Sequence, residues 1–168
     1  MSQSGKKWIK VGLKGIDMFR GLTAINLDTK GRMVMPTRYR DALAKDCSTV
    51  ILTIDTEVTC LLLYPLKEWE FIEKKIEALP SFNQATRRIQ RLLIGHATEV
   101  ELDGNGRLLL PPLLREYAQL DKRVMLVGQG KKFEVWDETQ WQQGRSDWLT
   151  DATKKLSELP AGLDSISL

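Results

Sequence analysis

The chain has 168 residues, 42% apolar and 28% charged, with twelve glycines and six prolines. This is a globular composition, able to bury about 70% of the unfolded surface, and it excludes a disordered or collagen-like chain. The longest apolar run, Cys60–Leu63, is far short of a membrane span, and the basic start M-S-Q-S-G-K-K-W-I-K has no apolar core, so no secretory signal is expected. Cys47 and Cys60 are too few for a disulfide framework and read as reduced cytosolic thiols, and a single histidine, His96, argues against a His-based metal site or a catalytic triad.

The net charge of +3 sits at the front of the chain. Lys6, Lys7, Lys10 and Lys14 against Asp17 account for all of it, leaving the rest neutral. Neutrality conceals sorting. Arg20, Lys30, Arg32, Arg38, Arg40 and Lys45 face only Asp28 and Asp41 in their stretch, whereas Phe133–Leu168 carries three basic against seven acidic residues. Such sorting permits a positive face suited to nucleic acid.

Residues 1–17 read as a basic extension, disordered or created by a misassigned start, with M-F-R-G at Met18 as the natural beginning. Its Trp8, Ile9, Val11, Leu13 and Ile16 among lysines leave a membrane or phosphate contact as a minor alternative. Gly21–Leu27 alternates as a strand with one irregularity, and Asp28-Thr29-Lys30-Gly31 has the residues of a tight turn. Arg32–Met35 reads as the return strand of a β-hairpin, ended by Pro36, and Thr37–Ala44 as a short helix. Strands follow at Thr49–Ile54 and Cys60–Tyr64. Trp69, Ile72, Ile76 and Leu79 fall on one face of a helix. Ser81 is the expected N-cap of a second helix reaching Leu93 and closed by Gly95, with Arg87, Arg88 and Arg91 as a solvated basic strip. Glu138–Leu149 reads as a final helix and the tail from Asp151 as mobile.

The chain repeats itself. Shifted by seventy-five residues, Thr23–Arg40 (T-A-I-N-L-D-T-K-G-R-M-V-M-P-T-R-Y-R) falls on Thr98–Arg115 (T-E-V-E-L-D-G-N-G-R-L-L-L-P-P-L-L-R). Seven of eighteen positions are identical, among them Asp28/Asp103, Gly31/Gly106, Arg32/Arg107 and Arg40/Arg115. Each unit is too small to be comfortably stable alone, so two copies are expected to pack about a pseudo-twofold axis and bury each other's apolar faces. The boundaries expected are 18–66 for the first repeat, 67–94 for a helical hairpin, 95–138 for the second repeat and 139–168 for a C-terminal helix and tail.

Asp and Gly suffice to make a turn, but a turn does not require an Arg after its Gly, and both copies have one. A guanidinium on a rigid tip can grip guanine O6 and N7 in a major groove, worth about 1–3 kcal/mol of discrimination. An Asp folded back on its turn can aim it. The candidate DNA-binding residues are therefore Arg32, Arg107, Lys30, Asp28, Asp103 and Arg38. Copy two has Asn105 for Lys30 and Leu113 for Arg38, so its tip is less basic and Arg32 is expected to outweigh Arg107. Trp69, Trp136 and Trp141 read as packing anchors, His96 as a hydrogen-bonded structural residue and Cys60 as inert.

The stretch L-D-T-K-G-R-M-V-M-P-T-R-Y-R resembles the SpoVT/AbrB-like DNA-binding signature, and two copies preceded by M-F-R-G and joined by R-R-I-Q-R-L-L-I-G-H-A resemble the MraZ family of transcriptional regulators. The resemblance implies an α+β, mainly β fold: a swapped-hairpin double-psi β-barrel made by the two tandem repeats, with packed helices between and after them. It also implies a ring-shaped homo-oligomer, cytoplasmic and nucleoid-associated, that binds double-stranded DNA. The sites implied are short G-rich direct repeats upstream of the division and cell-wall gene cluster, where such proteins act mostly as repressors. No cofactor, metal, membrane or small-molecule substrate belongs to this reading. An antitoxin-like protein-binding module on the same fold is the alternative. An aspartic-protease-like dyad of Asp28 and Asp103 is opposed by the Arg four residues after each, which would keep the carboxylates ionised.

Overall fold

The computed structural model describes residues 18–45 and 47–151; the basic extension 1–17 and the tail beyond Asp151 lie outside them. The chain divides into two compact units at Asp137/Glu138. Among its described residues the first contains eight strands: β1 (Phe19–Asn26), β2 (Arg32–Val34), β3 (Thr49–Ile54), β4 (Leu61–Pro65), β5 (Thr98–Glu101), β6 (Arg107–Leu109), β7 (Arg123–Gly130) and β8 (Phe133–Asp137). Its helices are α1 (Thr37–Ala44), α2 (Leu66–Glu77), α3 (Gln84–Ile89) and α4 (Pro112–Tyr117).

The strands form a six-stranded sheet in the order β1-β7-β8-β4-β3-β5 and a separate ribbon, β2-β6. Every pairing is antiparallel. Exchanging the copies turns the β1–β7 pairing into β5–β3 and maps β2–β6 and β4–β8 onto themselves, so the ladder has the pseudo-twofold symmetry the repeat requires. The expected first hairpin is corrected in one respect. Asp28 closes the turn, its N–H donating to the Arg32 carbonyl at 3.1 Å, but β1 and β2 then diverge and each pairs with a strand of the other copy. Neither copy could satisfy its own ladder, which explains why they occur together.

The core lies where the copies interlock. Met33, Met35 and Leu43 from the first and Leu108, Leu110 and Leu114 from the second are buried together with Phe133. Each such side chain contributes about 1.5–3 kcal/mol by leaving water. Phe19, Tyr39 and Phe133 form an aromatic knot with centroids 4.3–5.8 Å apart, anchored by the Tyr39 hydroxyl donating to the Arg20 carbonyl. Strand β3 is buried on both faces: Val50 and Leu52 join this core, while Ile51 packs with Leu62, Tyr64 and Trp69 under α2. Trp69 and Trp136 are buried as expected of packing anchors.

Details of the linking helices differ from the sequence reading. Asn83, not Ser81, caps α3, its side-chain oxygen accepting from the Ala85 N–H at 2.8 Å. The helix then widens into a π-turn over Gln90–Ile94. Gly95 does not cap in the left-handed region, its φ being −61°. A Cβ there would meet the Arg91 carbonyl at 2.1 Å, so the glycine is required by close approach. Thr53 closes the buried ledger of this face by donating to the Leu93 carbonyl at 2.7 Å. His96 is hydrogen-bonded, its Nδ1 lying 2.7 Å from the Leu92 carbonyl. The second unit contains α5 (Glu138–Asp151), on which Trp141 and Trp148 meet edge-on at 5.6 Å. No described helix is long and apolar enough to cross a membrane.

Candidate nucleic-acid interface

Each turn is built around its aspartate. In the first copy Asp28 Oδ1 accepts the backbone N–H groups of Lys30 and Arg32, both at 2.9 Å, and Oδ2 accepts from Arg32 Nε at 2.6 Å. In the second, Asp103 Oδ1 accepts from the N–H groups of Asn105 and Arg107 at 2.9 Å, and Oδ2 from Arg107 Nε at 2.8 Å. The two tips are thus the same device. The Arg32 backbone N–H, ahead of its side chain, draws the Asp28 carboxyl down from 3.8 to about 2, and the Arg107 N–H lowers that of Asp103. A carboxylate so stabilised carries no shared proton, and the dyad chemistry of an aspartic protease has no basis here.

With Nε committed to the carboxylate, the outer guanidinium nitrogens remain to be offered outward, and the side chains are 28% and 29% exposed. The ribbon register decides whether they point together. Arg32 stands opposite Leu109, Met33 opposite Leu108 and Val34 opposite Arg107. Met33 and Leu108 are fully buried, so Arg32 and Arg107 both lie on the outer face. As a diagonal pair on neighbouring strands they stand about 7–8 Å apart.

The other expected residues are less central. Lys30 is exposed at the turn. Arg38 is exposed on α1, with Nη2 donating to Thr23 Oγ1 at 2.6 Å and its guanidinium 4.7 Å from the Tyr39 ring centre, so it is drawn toward β1 rather than the tip. Arg87, Arg88 and Arg91 are exposed.

A second pair of arginines had no role in the sequence reading. Arg40 Nε donates to its own copy's Met35 carbonyl at 2.8 Å, and Arg115 Nε to Leu110 at 3.0 Å. Each then lies across the other copy's turn: Arg115 covers Gly31 and Arg40 covers Gly106. Both glycines have positive φ, +83° and +73°, and a Cβ on either would sit 2.5 Å from the facing guanidinium carbon. Two further bonds complete the exchange, Met35 N–H to the Gly106 carbonyl at 2.8 Å and Leu110 N–H to Gly31 at 3.1 Å. Each tip is therefore supported from the opposite repeat. The signal in the sequence was the identity Arg40/Arg115, without any indication of what it touches.

Among the described residues, Asp55, Cys60 and Glu134 bring three metal-type donor atoms within 4.8 Å of one another. Burial, with Glu134 and Asp55 nearby, pushes the Cys60 thiol well above its ordinary range. Asp55 Oδ1 accepts two backbone N–H groups and Glu134 Oε1 the Trp136 indole, so the donors serve the fold.

Comparison with known proteins agrees with this architecture. A family model described as "MraZ protein, putative antitoxin-like" matches residues 18–92 and 93–155. The chain is 57% identical to the "Transcriptional regulator MraZ" of Coxiella burnetii (strain Dugway 5J108-111) and 55% identical to those of Halorhodospira halophila and Legionella pneumophila (strain Corby). Each match covers 90% of this chain and 100% of the relative.

Proposed function

This chain belongs to the MraZ family, and from that premise we propose that it is a sequence-specific DNA-binding transcriptional regulator. It acts chiefly as a repressor at short G-rich direct repeats in the promoter of the bacterial division and cell-wall gene cluster, its own gene included. The observation that carries the reading is the pair Arg32 and Arg107, each clamped by an aspartate and both on the outer face of one ribbon. Fixed guanidinium donors on a β-ribbon match the acceptor pair of guanine in the major groove. Arg32 dominates, with Lys30 and Arg38 adding phosphate contacts on its side, and Asp28 and Asp103 orient the two readers.

The exchange of strands between repeats supports a swapped-hairpin double-psi β-barrel, with repeats at 18–66 and 95–138 flanking the helical segment 67–94. Self-association into a ring gives tandem boxes their meaning, because several ribbons on one particle gain effective concentration without new contacts. The exposed Phe71 on α2 and Phe82 before α3 supply apolar surface for that assembly. Its place is the cytoplasm, on the nucleoid.

The test is a gel-shift titration on the DNA immediately upstream of the gene at several salt concentrations. Binding should weaken steeply and log-linearly as salt rises, since each phosphate contact releases counterions. Binding that does not change with salt, or no preference for this DNA over a scrambled duplex, overturns the reading.

A further inference from the structure

The outer ribbon face that carries the two arginines also carries two aliphatic side chains, Val34 at 42% and Leu109 at 51% exposure. The register places each directly across from an arginine of the other copy, Leu109 facing Arg32 and Val34 facing Arg107. The same alternation occurs in both repeats: guanidinium, buried residue, exposed aliphatic. Strand pairing does not require apolar side chains there, and a solvated ribbon would be better served by Thr or Lys. Two aliphatic groups, diagonal to one another and each beside a guanidinium, are also too small a patch to seat a protein partner.

We propose that Leu109, and to a lesser degree Val34, are specificity residues that read the C5-methyl of a thymine adjoining the guanine held by the facing arginine. The inference rests on the DNA-binding reading above and adds a second class of base contact to it. In the major groove the thymine methyl is the one apolar feature of the base edges. Directly opposed residues have Cβ atoms about 4.5–5.5 Å apart, and neighbouring bases on a strand are spaced about 3.4 Å, so the aliphatic group falls over the adjacent step. The methyl projects into the groove, which suits a side chain shorter than arginine. Leu109 reaches further than Val34 and faces the dominant reader, so the thymine beside the Arg32-bound guanine is the more strongly selected. Copy one supplies the arginine and copy two the aliphatic contact to the same step, so each step is read by both halves of the chain.

The test replaces thymine by deoxyuridine, which removes only the methyl, at the box thymines next to guanine and, as a control, between the boxes. Full-length wild type and Leu109→Ser are titrated on each duplex, with circular dichroism melts showing that the exposed substitution leaves the fold intact. Wild type should bind the box-substituted duplex about fourfold more weakly per methyl, the factor for burying one methyl-sized group, and be indifferent to the spacer substitution. Leu109→Ser should bind the thymine and uracil boxes equally, with Val34→Ser showing the smaller version of this effect. If wild type binds both duplexes equally while Arg32→Ala abolishes binding, the methyl inference falls and the arginine reading stands. If uracil weakens wild type, Leu109→Ser and Val34→Ser alike, the methyl is read elsewhere and the inference also falls. If Arg32→Ala binds as wild type does, both readings fall together.

Discussion

Arg115 lies across Gly31, its guanidinium carbon 2.5 Å from where a Cβ would stand, while its Nε donates to the Leu110 carbonyl at 3.0 Å. The mirror relationship joins Arg40 to Gly106. Each hairpin tip therefore has a local half, the aspartate clamp, and a remote half delivered by the other repeat. The rigidity that the proposed base reading demands is shared between the copies.

Gly31→Ala tests the local backbone. At φ +83° an alanine is strained by about 1–2 kcal/mol, and its Cβ must also drive Arg115 off the Leu110 carbonyl. The expected loss in urea denaturation exceeds the strain alone. Gly104→Ala, in the equivalent turn with nothing within 4 Å of its added Cβ, should be close to neutral.

The crossed support predicts crossed phenotypes. Arg115→Met should impair the first tip and cost roughly tenfold in affinity for the G-rich boxes, on the scale of one hydrogen bond to a charged group. Arg40→Met should impair the second and cost less. Equal losses, or the reverse order in a competition assay, would show that the helices do not support the tips across the repeat boundary.

Asp28→Asn separates orientation from charge. Removing a negative group next to the DNA should strengthen binding if the carboxylate merely repels phosphate. Here it should weaken box binding while raising non-specific affinity, because Arg32 loses the acceptor that fixes Nε at 2.6 Å. The ratio of box to scrambled-duplex affinity is the quantity to measure.

The acid behaviour follows from the same clamp. Asp28 is drawn below its unfolded value of 3.8 to about 2, and Asp103 is lowered in the same sense. A depressed carboxyl contributes stability that is fully present above the unfolded value and is lost as pH falls through the folded one. Melting temperature should thus be insensitive to these groups near neutral pH and fall between pH 4 and 2, less steeply in Asp28→Asn. A change near pH 7 that disappears in that variant would contradict the assignment.

What was legible in the sequence follows the range of the interactions. The Asp28–Arg32 clamp is local, four residues apart and stated twice, so turn chemistry and repetition disclosed it. The shared core was legible from the size of each unit, whereas the unbroken apolar runs Met33–Met35 and Leu108–Leu110 did not say which face of β2 and β6 is buried. The partners of β1 and β2 were not, because a turn followed by an alternating strand looks the same whether the strands pair with each other or with a second copy. Arg40 and Arg115 stood out only as an identity, since their meaning lies in contacts to Gly106 and Gly31, far away in the chain. Gly95 ends the helical segment as expected, but the letter does not say whether a glycine answers a passing carbonyl or a positive φ, and here it is the carbonyl.

The most direct measurement is competition binding of Arg32→Ala, Arg107→Ala and the double variant against wild type on a duplex with tandem G-rich boxes, with melts and oligomeric state checked in parallel. Loss of box-specific binding by Arg32→Ala, a smaller loss by Arg107→Ala and unchanged fold and assembly in all three are the predicted result. Undiminished specific binding by the double variant would contradict the account, because no recognition through the ribbon face survives the removal of both guanidinium groups.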